Sequence, residues 1–115
     1  MRNDKENIIV DLTFKFSLAI LNFCEILENN RKYVLARQLL KSGTSIGANV
    51  REAQNAESKA DFIHKFKIAA KEADETEYWI LLCKESEHYP NPEKLLDEVQ
   101  VIIRIITKII ASSKH

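Results

Sequence analysis

Apolar residues recur at alternating intervals of four and three along four successive segments of the chain, and this spacing constrains the fold more than any other feature. The interval matches the 3.6-residue turn of an α-helix and gives each segment one apolar stripe. The 115 residues include only two Gly and two Pro. A β-sandwich or barrel needs turn residues about every 8–12 positions. The sequence therefore predicts an all-α domain.

Four helices are predicted from these stripes and from the residues that begin and end them. Their expected ranges are 4–29, 33–55, 59–87 and 92–112. Ser58 with Asp61 three residues later is typical of a helix start, and so is Asn91 before Pro92. Short connections between helices of similar length predict a single domain over residues 1–115, folded as an antiparallel up-down-up-down four-helix bundle.

Two of the predicted helices carry a second apolar row that a lone bundle leaves uncovered. Exposed apolar patches of this kind mark contacts with another molecule. The two rows differ in composition, which fits a head-to-tail contact that closes a ring, and a two-fold dimer is equally consistent with the sequence. A wide core that absorbs both rows within one chain is the alternative. The predicted interface residues are Val10, Phe14, Leu18, Leu21, Ile68, Glu72, Glu75, Trp79 and Leu82.

The charges are segregated along the chain although 17 Lys and Arg balance 17 Asp and Glu. Residues 31–71 hold nine basic and three acidic residues, a net charge of +6, and residues 72–100 hold two basic and nine acidic residues, a net charge of −7. A basic surface on the second helix and the start of the third can bind phosphates and release their counterions. The predicted nucleic-acid-binding residues are Arg37, Lys41, Arg51, Lys59 and Lys65.

Mutual neutralisation of the two charge blocks, between neighbouring helices or subunits, is the alternative to nucleic-acid binding. No aromatic residue that could stack on RNA bases is expected among the lysines of the basic block. Salt dependence of RNA binding distinguishes the two hypotheses, because phosphate contacts weaken as salt rises.

Patterns for catalysis and metal binding are weak. Asp61 with His64 and Glu85 with His88 have the spacing of ligand pairs in bundle metal sites, but they lie about 36 Å apart along one helix. No nucleophile has a base placed beside it, and no phosphate-binding loop occurs. We therefore expect no catalytic residue, metal, cofactor or small-molecule substrate, and a protein that is not an enzyme.

The two cysteines, Cys24 and Cys83, lie far apart within apolar helical patterns and have no CxxC partner. They are interpreted as buried thiols in a reducing compartment. The N-terminal residues do not resemble a signal peptide, and no segment approaches the length of a membrane span. The sequence therefore predicts a cytoplasmic protein without membrane contact.

A stripe of small residues crosses the second helix, where Gly43 and Gly47 lie one turn apart. Such a stripe allows another helix to approach closely. Asn49 occupies a core position with Glu52 nearby, and it is predicted to be a buried polar residue that fixes helix register. A catalytic Asn–Glu pair is the less favoured interpretation.

The segments at residues 39–52, 61–69 and 75–82 together resemble the bacterial four-helix-bundle family named for the 23S rRNA intervening sequence. The family's core motif is Ser-Ile-x-x-Asn-φ-x-Glu, where φ is apolar. The matching residues are Ser45, Ile46, Asn49, Val50 and Glu52. Gly47 stands where many relatives have Pro.

The resemblance implies an antiparallel four-helix bundle that often assembles as a homopentameric ring. Some relatives are encoded within insertions in large-subunit rRNA genes. The accessory variability protein of diversity-generating retroelements is similar and acts as a basic pentameric scaffold for a reverse transcriptase and its RNA, whereas this chain has no net charge. The expected function is a non-enzymatic, ring-forming scaffold that binds RNA or a ribonucleoprotein, and a purely protein-binding or structural homo-oligomer is the alternative.

Overall fold

The computed structural model describes residues 7–114, which form four α-helices and no strand. The helices are α1 (Ile8–Asn29), α2 (Tyr33–Ala53), α3 (Lys59–Glu85) and α4 (Glu93–Ser113). Each helix packs against the next one in the chain, and α4 also packs against α1. The all-α prediction is confirmed, and the helices form a bundle around one hydrophobic core. None of the described helices is long and apolar enough to cross a membrane.

The helices begin and end within two residues of the predicted positions wherever those positions fall in residues 7–114. At the start of α3, the Ser58 hydroxyl accepts a hydrogen bond from the Asp61 amide at 3.0 Å. Before α4, the Asn91 side chain accepts one from the Glu93 amide, also at 3.0 Å. The predicted positions 4–6 of the first helix lie outside the described residues.

Two helices end earlier than predicted, α2 at Ala53 and α3 at Glu85. After α3, Ser86 is extended and His88 has a φ of 69°, in the left-handed region. A helix cannot continue through such residues. Residues 86 and 87 are polar and would be tolerated on the exposed side of a helix, so the sequence pattern predicts an α3 that is two residues too long.

The core contains most of the residues that the four apolar stripes predicted, with Phe16 and Phe66 as its largest fully buried side chains. The apolar spacing on α1 predicts a buried stripe of Leu12, Phe16, Ala19, Phe23 and Leu27. In the structure the buried face is rotated from this stripe, so that Thr13 and Ile20 are fully buried while Leu12 is only half-buried. The buried Thr, Ser and Gln side chains of this core are hydrogen-bonded, as burial requires, whereas one buried carboxylate oxygen of Glu98 has no partner among the described residues. The Thr13 hydroxyl, for example, donates to the carbonyl of residue 9 at 2.8 Å.

The two glycines of α2 lie where α1 approaches it. A Cβ atom on Gly43 would lie 2.8 Å from Ile20 Cγ1, and one on Gly47 would lie 3.2 Å from the Thr13 carbonyl oxygen. Close approach of another helix at this stripe is thus confirmed, and the helix is α1. The α2 helix continues without interruption through both glycines.

Asn49 does not fix the helix register as the sequence suggested. It is half-buried, and its amide donates to the Ser45 carbonyl of its own helix at 2.9 Å. No hydrogen bond from Asn49 to another helix occurs among the described residues. A buried bond between α2 and α3 is made instead by the Ser42 and Thr76 hydroxyls, 2.9 Å apart. Helical spacing predicts that a residue faces the core, but it does not show which polar residue forms a hydrogen bond to a neighbouring helix.

Candidate nucleic-acid interface

The outward face of α2 carries three positive charges, which we call the α2 basic row: Arg37, Lys41 and Arg51. At 100° per residue the three positions fall within about 80° of one another around the helix axis. All three residues are exposed, and the fully buried Leu39 and Ile46 lie on the other side of α2. The row extends about 21 Å along the helix at 1.5 Å per residue.

The cations of the α2 basic row form no ion pair with any residue in 7–114. Salt bridges do occur elsewhere on the surface. Lys65 pairs with Glu52 inside the basic segment, and Lys84 pairs with Glu93 inside the acidic segment. These two bridges leave the charge of each block in place, so they do not neutralise one block with the other.

Lys65 was predicted to bind nucleic acid, but it is engaged within the chain. Its Nζ atom lies 3.0 Å from Glu52 Oε1 and links the start of α3 to the end of α2. The hydrogen bond to Glu52 and the negative charge of that residue raise the pKa of Lys65. The pair leaves Lys65 less available to a phosphate than the cations of the α2 basic row.

Lys59 is the first residue of α3 and lies at one end of the bundle, not on α2. It lines a cavity of about 570 Å³ between the α2–α3 connection and the C-terminal end of α4. The residues around this cavity are Ala53, Gln54, Ala56, Glu57, Ser58, Lys59, Phe62 and Ser113. The structure therefore brings three of the five predicted basic residues onto one helix face and places the other two elsewhere.

An aromatic side chain beside the α2 basic row was missed by the sequence analysis. Tyr33 begins α2 one turn before Arg37, and 52% of it is exposed. Leu40 lies on the same side of the helix and is 37% exposed. The four-residue interval between Tyr33 and Arg37 is the sequence feature that places the two side chains on one face of the helix.

The apolar row predicted on α1 is exposed along most of its length. Phe14, Leu18 and Leu21 are 57%, 47% and 49% exposed. Val10 is half-buried and packs against the core, because the buried face of α1 is turned towards it relative to the prediction. A contiguous apolar strip of three large side chains therefore remains on the surface of the single chain.

The row predicted on α3 is more buried than its counterpart on α1. Trp79 packs partly against the core, and its indole nitrogen donates to Glu75 Oε2 at 3.2 Å. Ile68 and Glu72 are half-buried, whereas Leu82 is exposed. Glu72 and Glu75 place acidic groups within this row.

Both cysteines are free, buried thiols, as the sequence predicted. The Cys24 thiol donates to the Ala36 carbonyl at 3.4 Å, and the Cys83 thiol donates to the Pro90 carbonyl at 3.2 Å. Burial raises the pKa of each thiol to about 11. Reactive thiols have a lowered pKa, so the two cysteines have a structural role. No group of three or more potential metal ligands occurs within the described part of the chain.

The raised thiol pKa values predict a loss of stability at high pH. In the unfolded chain the thiols ionise near their ordinary pKa of 9.0, whereas in the folded chain they keep their protons up to about pH 11. The stabilisation is therefore complete below pH 9 and is lost as the pH rises towards 11.

Chemical unfolding at several pH values measures this effect. The double variant Cys24→Ala/Cys83→Ala is the control, because lysines and tyrosines titrate in both proteins. We expect the free energy of unfolding of the variant to fall less steeply between pH 9 and 11. Equal slopes for the two proteins would contradict the assignment of the pH dependence to the thiols.

Comparison with known proteins identifies the family. The profile of the 23S rRNA-intervening sequence protein family matches residues 5–110. A crystal structure of a protein with unknown function from the S23 ribosomal protein family of Bacteroides thetaiotaomicron VPI-5482 superposes with a TM-score of 0.85 and is 42% identical, covering 90% of this chain and 98% of that chain. No protein of curated function matches. The chain belongs to the 23S rRNA-intervening sequence protein family.

Proposed function

We propose that this protein is a non-enzymatic helical scaffold that binds RNA, or a ribonucleoprotein that presents RNA, through the α2 basic row. The observation that supports this most is the set of three exposed cations on one helix face, none of them paired with an acidic residue in 7–114. Unpaired cations exchange their counterions for phosphates at little cost. The family name points in the same direction, because it refers to an rRNA sequence.

The bundle is, in this proposal, an antiparallel up-down-up-down arrangement that assembles as a homo-oligomeric ring, with five subunits as the resemblance implies. Two contacts support the antiparallel order of α1 and α2, because Thr13 meets Gly47 and Ile20 meets Gly43. Residue numbers thus rise on one helix as they fall on the other. A ring repeats the α2 basic row around its axis, so that individually weak phosphate contacts act together. The buried thiols fit a reducing cytoplasm.

A purely structural or protein-binding homo-oligomer is the second candidate function. The observation that favours it is the exposed α1 strip of Phe14, Leu18 and Leu21. Three adjacent large apolar side chains are more than the scattered exposure that soluble surfaces usually show. This strip supports self-association equally well whether or not RNA binds, so binding experiments must separate the candidates.

A salt titration of binding to a structured RNA tests the proposed function. With three phosphate contacts per subunit, we expect the logarithm of the affinity to fall against the logarithm of the salt concentration with a slope of about −2 to −3 per subunit. Absent binding at about 50 mM salt, or a flat response, would contradict phosphate contacts.

Light scattering at micromolar concentration tests the assembly separately. The mass of a single chain would contradict the ring. The mass of several chains, together with no RNA binding, would favour the second candidate function.

A further inference from the structure

We propose that the first two turns of α2 hold an unpaired RNA base against the ring of Tyr33, so that the protein prefers single-stranded to duplex RNA. This inference rests on the proposed function, and it specifies the form of RNA that the α2 basic row takes. It follows from the position of Tyr33, from the lack of partners for its ring, and from the chemistry of paired and unpaired bases.

Tyr33 stands in line with two cations of the α2 basic row. Arg37 and Lys41 follow it at intervals of one and two turns, about 6 and 12 Å along the helix axis. Tyr33 and both cations are exposed. A nucleotide whose base lies on the Tyr33 ring therefore has its neighbouring phosphates within reach of long, flexible basic side chains.

The Tyr33 ring has no aromatic or cation–π partner within residues 7–114. The adjacent Lys32 directs its Nζ atom to another ring, lying 4.7 Å from the centre of Tyr89. The ring pairs that do form are Phe62 with Phe66 and Tyr78 with Trp79. About half of the Tyr33 surface is exposed to solvent, and the exposed Leu40 adds apolar surface on the same side of α2.

Stacking on Tyr33 is open only to a base that is not paired. In an A-form duplex the bases are stacked on one another, and the deep groove excludes side chains. A tyrosine on a convex helix surface reaches the backbone of such a duplex but not the faces of its bases. An unpaired strand turns its bases outward, and each one stacked on an aromatic ring strengthens binding regardless of sequence. The preference for single strands follows from this difference.

Tyr78 provides a matched control within the same chain. It is 56% exposed, close to the 52% of Tyr33. Its ring contacts the Trp79 ring edge-on at 5.3 Å, and the neighbouring Asp74 and Glu75 are acidic and exposed. These carboxylates repel a phosphate backbone, and they stand between Tyr78 and the exposed Lys71 two turns before it, so Tyr78 is not expected to contribute.

Fluorescence anisotropy with two labelled RNAs tests the inference: oligouridine of about 12 nucleotides, and the same strand paired with oligoadenosine. We expect Tyr33→Ala to weaken binding of the single strand by about tenfold, the order of one stacked base. The affinity of Tyr33→Ala for the duplex is expected to stay within about twofold of the wild-type value. The affinities of Tyr33→Phe, which keeps the ring, and of Tyr78→Ala are expected to stay within the same range for both RNAs. Circular dichroism checks that all variants fold.

Three results would overturn the inference. The first is that Tyr33→Ala and Tyr78→Ala bind the single strand with equal affinity. The second is that Tyr33→Ala loses as much affinity for the duplex as for the single strand. Either result, with salt-dependent binding by the wild type intact, leaves the proposed function standing. The third, no binding of either RNA by the wild type at low salt, overturns the proposed function together with the inference.

Discussion

Reversal of the three charges in the α2 basic row is expected to abolish RNA binding at physiological salt. The variant Arg37→Glu/Lys41→Glu/Arg51→Glu removes three phosphate contacts, each worth on the order of 1 kcal/mol, and adds repulsion. At low salt we expect the affinity for a structured RNA to fall by at least about 100-fold, since 1.4 kcal/mol corresponds to a factor of ten. Anisotropy or filter binding measures the change. All three side chains are exposed, so the variant should fold.

The matched control reverses three charges on a different helix. Lys94, Arg104 and Lys108 are exposed on the outward face of α4. Their replacement by glutamate changes the net charge of the chain by the same amount. If position matters and not total charge, the α4 variant keeps most of the wild-type affinity. Equal losses in the two variants would show that RNA responds only to net charge, and the α2 basic row would lose its assignment.

Alanine at Gly43 is expected to destabilise the chain even though alanine favours helices. A methyl group there would lie 2.8–3.0 Å from three carbons of the fully buried Ile20. Such overpacking costs about 1–3 kcal/mol, more than the roughly 1 kcal/mol gained in helix propensity. Ile20→Ala alone should cost about 2–5 kcal/mol, because it leaves a cavity. The two together should cost less than the sum by at least about 1 kcal/mol, because the shortened side chain makes room for the methyl group.

Urea unfolding at one fixed protein concentration measures this coupling, since the stability of an oligomer depends on concentration. Gly47→Ala supplies the control. Its methyl group would meet the Thr13 carbonyl and the Ser17 hydroxyl, not Ile20. The free-energy changes of Gly47→Ala and Ile20→Ala should therefore add. Additive changes for Gly43→Ala and Ile20→Ala would contradict the close packing of α1 on α2.

The helices could be predicted from sequence because local chemistry decides where each one begins and which face it buries. The Ser58 side chain caps α3 by accepting a hydrogen bond from the amide three residues later, and the Asn91 side chain accepts one from the amide two residues later. The buried face of α3 runs through Phe66, Ala69 and Thr76 at the predicted spacing. These features depend on neighbours within one or two turns, so a single sequence contains the information.

The candidate site could be predicted only in part, because it depends on how helices are placed against each other. Periodicity fixes the angle of Arg37, Lys41 and Arg51 on α2, and all three are exposed as that angle requires. The pairing of Lys65 with Glu52 depends on how far α3 is shifted along the axis of α2. The residue spacing within a single helix does not predict that shift. Lys59, by contrast, begins α3 as predicted and therefore lies at one end of the bundle.

The apolar rows show the same limit. A small rotation of α1 carries Val10 inward and leaves Phe14 exposed. The orientation of α1 depends on its packing against other helices, which includes the close contacts at Gly43 and Gly47 of α2. A helical wheel drawn for α1 alone contains neither glycine, and so it predicts the row but not how much of the row stays on the surface.

The order in which the helices pack also bears on how the chain folds during synthesis. Within the described residues, α2 packs against α1 and α3, and its backbone does not approach that of α4. Both helices that pack against α2 are therefore present once α3 has left the ribosome. The interface between α4 and α1 closes last and joins the most distant parts of the sequence. Contacts between neighbours in sequence form quickly, so the packing that positions the cations of α2 does not depend on the later interface between α4 and α1.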